Sequence, residues 1–145
     1  MTLNQVIHEL TQIANAHGQI RTIFFGDSWD FLDQGDNEYT AFFFNIDSGN
    51  ILGGTMQYAL EVFILDRMLQ DQSNVEDVKD DCLQILSDIL GTIRMQTGQW
   101  LQNCTIGDVA FEFVEEDTPD YLAGVKATFN LNTTFTYQTC FQPTK

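Results

Sequence analysis

From Val75 to Ile93, apolar residues recur every three or four positions: Val75, Val78, Cys82, Ile85, Leu86, Ile89, Leu90 and Ile93. That period fits one side of an α-helix and neither face of a strand. Ser73-Asn74-Val75-Glu76 reads as a capping box just ahead of it. The spacing predicts a helix running to about Met95 or Gln96 and stopped by Gly98. Asp77, Asp80 and Asp81 fall near its N-terminus, where the helix dipole favours negative charge. A helix with one apolar stripe has to lay it on another element, so the rest of the chain must supply a layer to receive it.

A second, shorter stripe comes first. Leu3, Val6, Ile7, Leu10, Ile13 and Ala14 follow Thr2, a residue suited to cap a helix, and Gly18 supplies the stop. The receiving layer is read from alternation. Residues 20–25 and 38–46 are expected strands, and the second carries Phe42-Phe43-Phe44, which puts rings on both faces and so asks for cover on both. Asp47-Ser48-Gly49-Asn50 has turn chemistry, which leaves Ile51 and Leu52 at the tip of a hairpin beside Gly53-Gly54. Residues 55–65 form a third strand, with Met56, Tyr58, Leu60, Val62 and Ile64 on one face. Its other face, Gln57 to Leu65, turns apolar only at the far end. Residues 104–116 contain a strand, Asp117-Thr118-Pro119-Asp120 a turn, and 123–131 a closing strand that Thr133 to Thr139 extend. The sum is a single α+β domain over residues 1–145, in the order α-β-β-β-α-β-β, with two amphipathic helices packed on one face of a mostly antiparallel sheet. Residues 28–37 between the first strands read as a loop anchored by Trp29, Phe31 and Leu32.

Charge narrows the partners. Six Lys and Arg stand against 21 Asp and Glu, a net charge of −15. Phosphate recognition needs clustered cations, and Arg21, Arg67, Lys79, Arg94, Lys126 and Lys145 are scattered, so neither sequence-specific nucleic-acid binding nor an anionic membrane surface suits the chain. No apolar run is long enough to span a bilayer, and the amphipathic N-terminus does not read as a signal peptide. Three cysteines show no CxxC or Cys/His zinc spacing. Cys82 falls on the buried helix face. A bridge between Cys104 and Cys140 is left open, and a reducing interior is the simpler reading.

Sites for chemistry are few. His8 and His17 lie nine residues apart on the first helix, the wrong spacing for a metal pair, and read as solvated or capping residues. Glu115, Glu116, Asp117 and Asp120 surround a turn without the alternation of a calcium loop. There is no phosphate-cradling glycine loop and no G-x-S-x-G elbow. Asn103-Cys104-Thr105 and Asn132-Thr133-Thr134 match the glycosylation acceptor pattern, with chance the better explanation. The expectation is a chain that is not an enzyme and holds no metal or cofactor. Ile51 and Leu52, with Tyr121 and Leu122 after the second turn, are apolar residues expected at loop tips and hence candidate subunit contacts.

The order of elements has a counterpart. Val62-Phe63-Ile64-Leu65-Asp66-Arg67 leading into Ser73-Asn74-Val75 and the central helix, then residues 120–125, then Cys140 and Pro143, resembles the tail-terminator, tail-completion and neck-ring proteins of tailed bacteriophages. The resemblance implies a structural virion subunit at the head–tail junction or the end of a tail tube, made in the host bacterial cytoplasm. It would close into a cyclic homo-oligomer, six-fold or twelve-fold, against neighbouring neck or tail proteins. Within such a ring Glu115, Glu116, Asp117 and Asp120 are candidate lumen acids, since negative charge keeps passing DNA from sticking. The competing reading is an acidic DNA-mimic inhibitor of a nucleic-acid-binding enzyme, with Asp77, Asp80, Asp81 and Asp88 imitating phosphates.

Overall fold

A computed structural model of the chain describes residues 2–27, 38–69, 71–95, 104–116 and 121–134. In chain order these form α1 (Leu3–Ala16), β1 (Thr22–Phe25), β2 (Ala41–Leu52), β3 (Thr55–Arg67), α2 (Val75–Arg94), β4 (Cys104–Ile106), β5 (Ala110–Glu116) and β6 (Leu122–Thr134). The expected α+β class and the two helices on a mostly antiparallel sheet are what the chain adopts, with the expected strand region over 104–116 divided in two. The sheet runs β1-β2-β3-β6, and β4 and β5 share the far edge of β6. Among the described residues only β1 with β2 is parallel.

Both helices lie on one face. α1 starts with a true capping box: the Thr2 hydroxyl accepts from the Gln5 N–H at 3.2 Å, and Gln5 Oε1 accepts from the Thr2 N–H at 2.8 Å. It buries Val6, Leu10 and Ala14. α2 buries Val78, Cys82, Ile85, Leu86, Ile89 and Ile93, the stripe read from the sequence. These meet Phe42, Phe44, Leu60, Val62, Ile64, Val125, Ala127 and Leu131 in one continuous core. His17 caps α1, and its ring fixes the two helices to each other. Nδ1 accepts from the Gln19 N–H, so Nε2 carries the proton and donates to Asp88 Oδ2 at 2.9 Å.

The capping box expected at Ser73 is not made. Asn74 is the N-cap, and its side chain makes no bond to the first turn. Instead Asn74 Oδ1 accepts from the Leu69 N–H at 2.7 Å, while the Ser73 N–H goes to Asp71 Oδ1 at 3.0 Å. The tight link between β3 and α2 has its own orphan N–H groups, and these take the Asn74 and Asp71 side-chain oxygens, which leaves the N-cap residue without a side-chain bond to the first turn. The bond from Ser73 holds the Asp71 carboxyl below its usual range.

Asp47-Ser48-Gly49-Asn50 is likewise not a turn. β2 continues through it, with Asp47 the extra residue of a bulge between the Ile46–Leu60 and Ser48–Ala59 pairs. The chain reverses only at Gly53-Gly54, where Gly53 takes φ +58°, as a two-residue hairpin loop requires. Pairing with β3 on a full-length partner overrides the local turn preference. The expected strand over 104–116 splits for a related reason: three residues, 107–109, face only two, Phe129 and Asn130, between the Ile106–Leu131 and Ala110–Thr128 pairs.

The opposite face of the sheet carries a smaller cluster of Ala41, Phe43, Leu65 and Leu122. Phe43 stacks on Phe63 with ring centroids 4.6 Å apart. The triple-Phe run therefore divides between two apolar layers, as its alternation implies.

Candidate functional site: the uncharged end of the sheet

Charge is divided sharply along the strands. Residues 48–60, 104–107 and 127–134 contain no Asp, Glu, Lys or Arg, in a chain with 27 such residues among 145 (6 basic and 21 acidic). Strand register brings these three stretches together. Ile51, Met56, Thr133 and Cys104 lie in one row across β2, β3, β6 and β4, and Asn50, Gln57, Asn132 and Thr105 in the next. One face of this end carries an amide ladder, Asn50 to Gln57 at 3.3 Å and Gln57 to Asn132 at 2.9 Å. Thr133 Oγ1 donates to the Met56 carbonyl at 3.2 Å. The hairpin is thus no free arm, because β6 runs beside β3 to its last pair, Thr55 with Thr134.

At the tip Ile51 and Leu52 remain 51% and 58% exposed. The sequence placed them there, although as the last strand residues before the turn and not beyond it. Tyr121 is half-buried at φ +50°, and its carbonyl accepts from the Met68 N–H at 2.7 Å. Leu122 corrects the expectation outright. It is fully buried in the second cluster, so it offers no contact surface. Alternation along β6 turns it under Leu65 and away from solvent.

A second exposed apolar patch was missed from the sequence. Phe111 and Phe113 are 51% and 47% exposed and stack edge-on at 5.7 Å. They share the helix-bearing face with Ala127 and Val125, opposite them on β6. However, β5 is the outermost strand there, and the α2 group that reaches over it at Phe113 is the Lys79 ammonium, 5.8 Å from the ring centroid. Between α2 and β5 runs a groove of about 640 Å³ whose lining includes Leu83, Leu86, Leu90, Val109 and Phe111 and the polar Ser87, Arg94 and Asp108. The alternation of Phe111 and Phe113 was legible. Their position at a sheet edge was not, since it depends on β6 pairing with β3.

The proposed lumen acids are only partly placed. Glu115 accepts from Lys79 Nζ, and this bond raises the Lys79 pKa above its usual value. Glu116 closes β5 opposite Leu122. Asp117 and Asp120 lie outside the described residues, as do Cys140, Trp29, Phe31 and Leu32. Lys126 sits between Glu61 and Glu112, at 3.9 and 3.8 Å, with its ammonium over the Phe63 ring.

Chemistry elsewhere is modest. Burial pushes the Cys82 thiol up to about 12, helped by Asp66 and Asp81, and pushes Cys104 up to about 11. Neither is a nucleophile near neutral pH, since the thiolate is the reactive form. Among the described residues no group of three or more His, Cys, Asp or Glu is placed to hold a metal ion. At the opposite end of the sheet Arg21, Glu38, Tyr39, Asp66 and Arg67 line a polar recess of about 360 Å³. Both Asp66 oxygens are engaged there, by Thr40 Oγ1 and the Arg67 N–H, and the Arg67 guanidinium lies 5.3 Å from the Tyr39 ring centroid. No helix among the described residues is long and apolar enough to cross a membrane.

No family model matches the chain, and no curated protein matches it. The fold and the surface just described therefore carry the functional argument by themselves.

Proposed function

We propose that the chain is a structural virion protein of a tailed bacteriophage, a tail terminator or head–tail connector subunit that assembles into a ring with copies of itself. The observation that supports this reading is the pair of exposed apolar patches, Ile51 with Leu52 and Phe111 with Phe113, on different strands toward the two margins of one sheet. A cyclic assembly needs two unlike patches on every subunit, and two unlike patches are what a solitary domain has least reason to expose. The acidic exterior of α2 supports a lumen or flank that repels DNA.

Purified virions test the proposal. Mass spectrometry should find the chain in intact particles, and electron micrographs of the purified protein, alone or with its neck or tail neighbours, should show closed rings. Its absence from particles, or a ring with a positive lumen, overturns the reading. Salt-sensitive one-to-one capture by a basic nucleic-acid enzyme would favour the DNA-mimic alternative.

A further inference from the structure

We propose that the uncharged end of the sheet docks, through Ile51 and Leu52, into the groove between α2 and β5 of a second copy of this chain. The inference rests on the ring reading and names the contact that would build it.

Charge selects the occupant. Two copies carrying −15 each repel one another over most relative orientations. They approach without that penalty only where charge is missing, and residues 48–60 supply thirteen consecutive positions without any. The groove is equally suited to receive a like-charged copy. Its lining is largely apolar, with Leu83, Leu86, Leu90, Val109 and Phe111, and it includes one cation, Arg94, and one anion, Asp108. A basic partner would be drawn to the acids of α2 instead and would leave the uncharged end unused.

Geometry makes the contact intermolecular. The hairpin tip joins β2 to β3, whereas the groove lies beyond β6 at the β5 edge. Tip and groove are different surfaces, so the contact is head-to-tail and repeats from copy to copy. The groove falls within the ~300–1,000 Å³ range of ligand-sized clefts, enough to take the end of the hairpin with Ile51 on one face and Leu52 on the other. Two side chains do not approach the roughly 800 Å² per partner of a stable pair. Each single contact is therefore weak, and association shows at high concentration or on ring closure.

Sedimentation velocity on the full chain, from micromolar to millimolar, tests this. The wild type should associate as concentration rises. The double variant Ile51→Asp/Leu52→Asp and the groove variant Phe111→Glu should each need at least tenfold higher concentration. A one-to-one mixture of the two should form dimers and nothing larger, because only one intact tip meets one intact groove. Phe111→Ala replaces Phe111→Glu if circular dichroism shows the latter unfolded. A wild type that stays monomeric throughout overturns the proposal, as do variants that associate like the wild type. Loss in the tip variant alone, with the groove variant unaffected, means a tip-to-tip contact and overturns it too. Rings in virions built by variants that keep wild-type association would sink this contact and leave the ring reading standing. Absence from virions would do the reverse.

Discussion

The two ends of the β2–β3–β6 layer are made from the same strands and differ in almost everything else. At the helix-covered end, Phe42 and Phe44 are fully buried beneath α1 and α2, Phe43 and Leu65 fill a second cluster behind them, and charged residues ring the exterior. At the hairpin end the strands carry Asn, Gln, Thr and Gly with no charge at all, and the largest apolar side chains at the tip face solvent. One end spends its apolar residues on folding. The other keeps some for contact. That difference ranks the effects of substitution along a single strand pair.

The largest effect belongs to the covered end. Phe44→Ala should lower unfolding free energy by about 3–5 kcal/mol, the usual range for emptying a filled aromatic site, as measured by urea denaturation. Its ring is fully buried and contacts Phe25 and Phe42 with centroids at 5.1 and 5.6 Å. A loss under about 1 kcal/mol, within the span of ordinary single substitutions, would show that this end is not the stabilising one.

Two glycines sharpen the contrast. A Cβ at Gly124 would meet the Ile64 carbonyl oxygen at 1.9 Å, and one at Gly49 would meet the Gln57 oxygen at 2.3 Å. Gly124 has a strand on each side, with Leu65 on β3 and Val114 on β5, and β3, which a Cβ would strike, is held in turn by β2. Gly49 sits just past the Asp47 bulge, and β1 pairs with β2 only as far as Phe44, so β2 has room to shift there. Gly124→Ala should therefore cost about 1–3 kcal/mol, the range for overpacking, and Gly49→Ala distinctly less in the same denaturation experiment. The reverse order would mean that the hairpin end is the more rigid.

These cases also show what a reader of the sequence can and cannot see. The stripes of α1 and α2 and the alternation in β3 and β6 were legible, because helix and strand periods are written locally and the burial they demand is large. The Ser73 cap and the turn at Asp47 were misread for one shared reason. Each is a local preference worth about 1 kcal/mol, set against backbone hydrogen bonds that only the folded neighbours supply: Leu69 N–H in one case, the β3 ladder in the other. For the candidate surface, Ile51 and Leu52 were found because glycines flank them. Leu122 was misplaced because its face follows from register with Arg67 and Glu116, which no local pattern states. Phe111 and Phe113 stayed hidden because strand order, not strand content, exposes them.

The two described cysteines lie one toward each end, and alkaline pH separates them. Both thiols titrate above their usual 9.0, Cys82 at about 12 and Cys104 at about 11. Below pH 9 folded and unfolded chains both keep the proton, so the thiols leave stability unchanged. Above it the unfolded chain loses the proton first, and stability falls by up to about 1.4 kcal/mol per pH unit for each group. The fall ends near pH 11 for Cys104 and continues to about 12 for Cys82, where Asp66 and Asp81 add to burial. Cys82→Ala and Cys104→Ala should flatten the pH 9–11 decline equally, and only Cys82→Ala should flatten it further between 11 and 12. Urea unfolding at stepped pH reads this directly, and an equal effect of both variants above pH 11 would erase the difference.

The smallest effect is expected at the tip, and its smallness is the point. Leu52→Asp replaces a side chain that is 58% exposed and at the end of β2, paired with Thr55 across a two-residue loop. An exposed substitution away from caps and cores stays within about 0.5 kcal/mol. The monomer should therefore unfold at the same denaturant concentration as wild type, even though a new carboxylate stands within residues 48–60, which have none. A loss comparable to that of Phe44→Ala would show that Leu52 is folding material, and the division between a covered end and a contact end would fail at the residue that defines it.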